Sequence, residues 1–150
     1  MLIGVIVQII SLLFFGNWAG LDIIFLLGLI SLGVSAVLFL SSNVLKKEGG
    51  MEEGKGFVTT KLVDTGIYGL IRHPIYLSLA YLFAGFALIS QYPLSLFFGF
   101  TMALCCYYFM IEEEELTIKK FGEEYLQYMK NVPRSNLLIG IWRFFRRKDT

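Results

Sequence analysis

Four apolar stretches, separated by two tight turns and one long polar interval, set the plan of this sequence. The first runs from Leu2 to about Ala19 and has only Gln8, Ser11 and Asn17 as polar positions of note. Its uncharged start and lack of a small-residue cleavage pattern predict a retained helix and not a removable leader. After a turn at Gly16–Asp22, a second stretch extends from Leu21 to about Leu45 and carries Gly28, Ser31, Gly33, Ser35 and Ala36. These small residues fit close helix packing in lipid, and ordinary span composition accounts for them equally well. The third stretch, Pro74 to Ser90, and the fourth, Leu94 to about Ile111, are joined by Gln91-Tyr92-Pro93, which predicts a tight antiparallel hairpin. A spanning helix needs about 20 mostly apolar residues, and all four stretches approach that length.

The interval from Lys46 to His73 changes character. Lys46 to Gly56 is rich in glycine and charge, Phe57-Val-Thr-Thr-Lys-Leu-Val63 is β-prone and reads as an extended segment or a connector, and Asp64-Thr65-Gly66 marks a turn. Beyond the fourth stretch, Tyr107, Met110, Glu114, Ile118, Phe121, Tyr125 and Tyr128 recur at steps of three and four. One helical face is therefore expected to run unbroken from the fourth span through Asn131. The tail ends in W-R-F-F-R-R-K, an aromatic and basic pattern suited to an anionic leaflet surface.

Composition agrees with this pattern. The chain has 150 residues, 56% hydrophobic and 16% aromatic, with mean hydropathy +0.66, too apolar for an ordinary soluble domain. The fold class expected is an all-α membrane protein with about four transmembrane helices and a cytoplasmic amphipathic C-terminal helix. All 13 Lys and Arg residues fall at position 46 or later, and none lies in the two short turns. The positive-inside rule then puts both termini and the large loop in the cytoplasm, which four spans satisfy; three would leave Met1 outside. A net charge of +1, with basic residues beside apolar spans, gives no nucleic-acid footprint. Cys105 and Cys106 sit inside the fourth span as small apolar residues, and a single histidine cannot assemble a metal cluster at the usual ligand counts.

The densest chemistry lies in G-I-Y-G-L-I-R-H-P-I-Y, Gly66 to Tyr76. Pro74 suits the first helical position, and it holds His73 out of the helical region beside the first free amides of the helix. That arrangement suits an anion, but taken by itself the stretch reads first as Arg72 snorkelling to lipid phosphates, His73 flanking a helix start and the tyrosines as interfacial anchors. The second concentration is Glu112-Glu113-Glu114-Glu115. A glutamate run usually starts a solvated helix, which explains Glu112 and Glu115, but Glu114 falls on the apolar face with Glu113 next to it. An ionisable group on an inward face near membrane depth is a site candidate.

Taken together, L-V-D-T-G-I-Y-G-L-I-R-H-P-I-Y, the hairpin, and E-E-E-E-L-T-I-K-K-F-G-E-E-Y-L-Q-Y-M-K-N-V-P-R resemble the isoprenylcysteine carboxyl methyltransferase family and its phospholipid methyltransferase relatives, over roughly Thr59 to Arg134. The resemblance implies a small helical membrane bundle binding S-adenosylmethionine on the cytoplasmic side. It implies cofactor contacts from Lys61, Leu62, Val63, Tyr68, His73, Pro74, Ile75, Tyr76 and Glu113, with Glu114 as the second candidate for that glutamate. The apolar pattern and the length lead us to expect one methyltransferase-like membrane domain over 1–150, with spans at about 2–19, 21–45, 74–90 and 94–111, a loop at 46–73 and a tail at 112–150.

S-adenosylmethionine needs a cationic end, an anionic end and an aromatic wall, which His73 with the helix start, Glu113, and Tyr68 with Tyr76 can supply. Carboxyl methylation needs no general base, because the acceptor is already ionised at neutral pH; positioning and desolvation carry it. Family members acting on prenylated cysteine tend to have an arginine four residues before the equivalent glutamate, where Phe109 stands here. Arg72 or Arg134 is the candidate for that role, and with Glu114 they form the expected catalytic set. The expected function is methyl transfer to a lipid-like or prenylated acceptor, most simply at a carboxylate. N-methylation of an aminophospholipid is the close variant, with a membrane sterol-type reductase or a non-catalytic adaptor as other classes. The chain's shortness and lack of an address signal suggest a prokaryotic plasma membrane. Its oligomeric state is not legible.

Overall fold

The computed structural model describes residues 2–48 and 61–148, and every regular element among them is helical. The α-helices are α1 (Leu2–Phe15), α2 (Asp22–Glu48), α3 (Pro74–Ser90), α4 (Pro93–Phe121), α5 (Glu123–Asn131) and α6 (Leu137–Lys148), with a 3₁₀ turn at Gly66–Gly69. Two of them are long and apolar enough to cross a membrane, within Asp22–Val44 and Pro93–Phe121. α1 and α3 are shorter apolar helices; at 1.5 Å per residue, the 17 residues of α3 reach about 25 Å. Large apolar side chains such as Ile3, Leu13, Phe14, Ile23 and Phe100 stand exposed on these helices. Such a surface is stable against lipid, and the chain is an integral membrane protein.

The third span keeps the expected bounds, because Pro74 starts it and Gln91, with φ +54°, leaves the helix. Elsewhere the elements differ. α1 stops at Phe15, short of Ala19, and α2 continues through Lys46 and Lys47 to Glu48. The segment expected to be extended lies partly outside the described residues, at 57–60, and residues 61–64 are irregular. The helix expected to run unbroken to Asn131 is divided at Gly122, whose φ of +55° and ψ of −128° suit glycine and not a side-chain-bearing residue. The tail is α6, which begins as Asn136 Oδ1 accepts from the Ile139 N–H at 3.1 Å.

The described chain forms two compact units. One comprises the segments up to Val37 and Tyr76–Phe109. Its core is Phe83, Met102 and Cys106, with Val5, Tyr76, Leu79 and Ala80 against them. Small residues let the helices approach: a Cβ on Gly28 would meet the Ile89 amide nitrogen at 2.9 Å and the Gly85 carbonyl at 3.0 Å. Ser31 donates to Tyr81 O and Ser35 to Ser78 O, both at 2.7 Å, and Gln8 donates to Phe83 O at 3.0 Å. The packing role is thus real at Gly28, Ser31 and Ser35, whereas a Cβ on Gly33 would meet nothing within 4 Å. At one end, the Gln91 amide brackets Leu21, accepting from its N–H at 3.1 Å and donating to its carbonyl at 2.8 Å.

The other unit comprises Leu38–Ile75 and the chain from Met110 onward. Its core is Tyr125, Tyr128 and Val132, with Leu62, Ile118, Phe121 and Met129 packed on it. Tyr128 Oη donates to Tyr68 O at 2.6 Å, tying α5 to the 3₁₀ turn. α6 is held against the same stretch, since a Cβ on Gly140 would lie 2.1 Å from Leu70 O.

Candidate functional site

Within this second unit, an irregular stretch, a helix and the connection after α5 converge on one carboxylate. The residue before Pro74 cannot easily be helical, so Arg72 and His73 lie outside any helix and their amides need partners elsewhere. They find them in the connection that follows α5: Arg72 N–H donates to Pro133 O at 3.0 Å and His73 N–H to Arg134 O at 3.2 Å. Two sequence segments about 60 residues apart are thereby paired through the backbone, and their side chains project toward α4.

There Glu114, 3% exposed, acts as the hub. Its Oε1 lies 2.9 Å from Arg72 Nη2 and 3.1 Å from His73 Nε2, and it accepts from Arg134 Nε at 3.1 Å. Its Oε2 accepts from Arg134 Nη2 at 2.6 Å, so Arg134 makes a two-pronged contact. The other imidazole nitrogen, His73 Nδ1, faces Glu113 Oε2 at 3.4 Å. His73 is thus bracketed by both carboxylates of the pair, a consequence of adjacent residues in α4 presenting to a ring lodged between them. Thr117 donates to Glu113 O at 2.7 Å, one turn further along.

Burial alone would discharge the imidazole, but the hydrogen bonds and charges of Glu113 and Glu114 outweigh it and raise the pKa of His73. Protonated, its two N–H groups both donate. Three cations then face two carboxylates, which leaves one positive charge in a largely buried cluster. That surplus has a location: Arg72 Nε and Nη1 are buried and have no hydrogen-bond partner among the described residues. Unsatisfied guanidinium donors are costly to bury and are matched by an anionic oxygen. The tyrosines around the cluster remain phenols. Burial first, then the Glu114 charge, pushes Tyr125 up to about 12; burial likewise raises Tyr128, and burial with the Glu113 charge raises Tyr68.

The cluster therefore gathers Arg72, His73, Glu113, Glu114 and Arg134 from the sequence-based candidates. Pro74, buried, opens α3 behind His73, with Ile75 next to it; Tyr68 lies in the 3₁₀ turn, and Leu62 packs on the Tyr125–Tyr128 core. Lys61 is exposed and Val63 half-buried. Tyr76 belongs to the first unit, where its ring stacks on Phe109 with centroids 6.5 Å apart. Sequence reasoning did not pair Val132-Pro133-Arg134 with Arg72-His73, because backbone pairing between distant irregular segments leaves no periodic trace. The one available signal was Pro133, which stops α5 and forces the chain to extend.

A family model described as phospholipid methyltransferase matches residues 23–124. Over 111 residues, 67% of the chain, the sequence is 34% identical to the protein-S-isoprenylcysteine O-methyltransferase of Xenopus laevis, of which the match covers 38%. Over 79 residues, half of the chain, it is 39% identical to the Homo sapiens protein of the same name, covering 27% of it. The chain thus spans well under half the length of these relatives. No solved structure matches it.

Proposed function

Because the chain belongs to the phospholipid methyltransferase family, we propose that it is an S-adenosylmethionine-dependent methyltransferase acting on a lipid-like acceptor at the cytoplasmic membrane face. The observation that carries this reading is the cluster around Glu114, with two buried Arg72 donors that no described residue accepts. S-adenosylmethionine bears a carboxylate, an ammonium and a sulfonium, and the residues present fit it. Arg72 Nε–H and Nη1–H suit a carboxylate, and the Glu113 side chain, 38% exposed, suits an ammonium. Tyr68, Leu62 and Val63 form the apolar side of the proposed site. His73 has both nitrogens on carboxylates, so its part is to hold Glu113 and Glu114 in register.

When bound, the cofactor supplies an electrophilic methyl group on sulfur. Glu114 and Arg134 fix Arg72 in position, and Arg72 orients an anionic oxygen. With a carboxylate acceptor such as that of an isoprenylcysteine, no residue has to remove a proton. The arrangement is a positioning device in a partly water-excluded site. The relatives' name favours this acceptor; the family's name favours the second reading, N-methylation of an aminophospholipid. We place both termini in the cytoplasm, with four spans, on the distribution of Lys and Arg.

Calorimetry with S-adenosylmethionine and its demethylated product tests the cofactor, and base-labile release of methanol from the methylated product tests the acceptor. Wild type should bind the cofactor, and Arg72→Lys, which keeps the charge but loses the fork, should weaken ligand binding about tenfold or more. No binding by wild type, or equal binding by the variant and by Glu113→Ala, refutes the assignment. A methyl product stable to base selects the amine acceptor.

A further inference from the structure

We propose that α6 is an in-plane anchor that docks on the headgroup–acyl boundary of an anionic leaflet. Its two sides differ in chemistry. One side is closed by Gly140, buried with its Cα against the Leu70 backbone, and by Arg143, whose Nη1 donates to Lys130 O at 3.3 Å. On the opposite side Leu138, Trp142 and Phe145, spaced i, i+4 and i+7, are 80%, 60% and 62% exposed. A 12-residue helix that presents two aromatics and a leucine to its surroundings gains by burying them in lipid, and this chain is already a membrane protein.

Charge selects the leaflet. From Val132 to Lys148 the sequence has no Asp or Glu, while Arg143, Arg146, Arg147 and Lys148 crowd the last two turns. Arg146 lies over the Trp142 ring at 5.4 Å, so a cation sits at the margin of the apolar face, the level at which a phosphate is met. Trp142 itself has the amphipathic ring of an interfacial residue. One consequence rests on the methyltransferase reading: α6 would hold Leu70, two residues before Arg72, at the surface where a lipid-like acceptor presents its polar end. The docking itself does not depend on that reading.

The test uses the full chain in nanodiscs, with W18F leaving Trp142 as its one indole, and lipids brominated on their acyl chains as quenchers. Trp142 emission should be blue-shifted and quenched in phosphatidylcholine discs containing phosphatidylglycerol. Each arginine near an anionic surface favours docking about fivefold, so R146Q should lower the anionic preference by that factor, and raised salt should lower it further. Should W18F fail to fold, the difference in quenching between wild type and W142F carries the same signal. Water-like, unquenched emission overturns the proposal. So does quenching that ignores the phosphatidylglycerol content, and so does Trp142 shielded from lipid only when two chains share a disc, which would mark the face as a contact between copies. No cofactor enters the measurement, so its failure leaves the enzymatic reading untouched, and the reverse also holds.

Discussion

Replacing Glu114 by glutamine keeps the shape of the side chain and removes its charge, which makes Glu114→Gln the sharpest probe of the cluster. The carboxylate receives hydrogen bonds or ion pairs from Arg72, His73 and Arg134. A hydrogen bond to a charged group contributes about 1.5–3 kcal/mol, and the amide NH2 of glutamine would oppose a guanidinium donor. The Arg134 side chain is 28% exposed, so water screens its share toward the surface value of about 0–1 kcal/mol. The Arg72 side chain, 8% exposed, would be left as an uncompensated buried charge, whereas His73, 5% exposed, keeps its contact with Glu113. Breaking a buried pair in this way costs about 3–5 kcal/mol, and the loss should sit in that range. For a chain of 150 residues each kcal/mol moves Tm by about 2–4 °C, so thermal unfolding followed by circular dichroism should shift down by about 6–20 °C. Glu112→Gln, on the exposed side of the same helix turn, should stay within about 0.5 kcal/mol and serves as the control. Adding Arg72→Gln to Glu114→Gln should cost less than the sum of the two single changes, because the second removes the charge that the first stranded. A Glu114→Gln loss below about 1 kcal/mol, or additive single changes, would show that the cluster does not act as a unit.

Two further outcomes follow from the same geometry. His73 has its pKa raised in the folded chain above the ordinary value of about 6.5, since the two carboxylates outweigh burial. Its stabilisation is therefore complete below about pH 6.5 and is lost as pH rises through the raised value; Tm should fall on the alkaline side in wild type and lose that dependence in His73→Gln, and a flat wild-type profile would contradict the ion pairing. Gly140→Ala would place a Cβ 2.1 Å from Leu70 O and 2.9 Å from Leu70 C, backbone atoms that cannot swing aside. A cost of about 1–3 kcal/mol is expected, seen as faster amide exchange across α6, and unchanged exchange would mean that α6 is not held there.

The sequence carried its local instructions plainly. Pro74 and Gln91 bound α3, the three-four spacing put Glu114 on an inward face, and the Glu-Glu pair and Arg-His pair were each conspicuous. Gly122 was equally visible, yet the apolar periodicity on either side of it concealed the break. Spacing alone cannot distinguish a continuous helix from two helices that preserve a face. The turn is betrayed only by the backbone angles that glycine adopts. The pairing of Arg72 and His73 amides with Pro133 and Arg134 carbonyls was invisible for a different reason: it is a contact between two non-repeating segments, fixed by tertiary packing of Tyr125, Tyr128 and Val132.

That pairing explains why the cluster is built from residues so far apart. His73 next to Pro74 has an amide that no helix can satisfy, and Arg134 next to Pro133 has a carbonyl in the same position. Joining them satisfies both and brings two cationic side chains to one edge. Two like charges on neighbouring irregular segments repel, and they stay together because α4 delivers Glu114 between them. Glu113, one residue earlier, then meets the far nitrogen of His73. The structural network consumes Glu114, His73 and most of Arg134, while Arg72 retains two buried donors. The motif on the loop side thus supplies the cationic donors, and the helix side supplies the carboxylates that hold them in place.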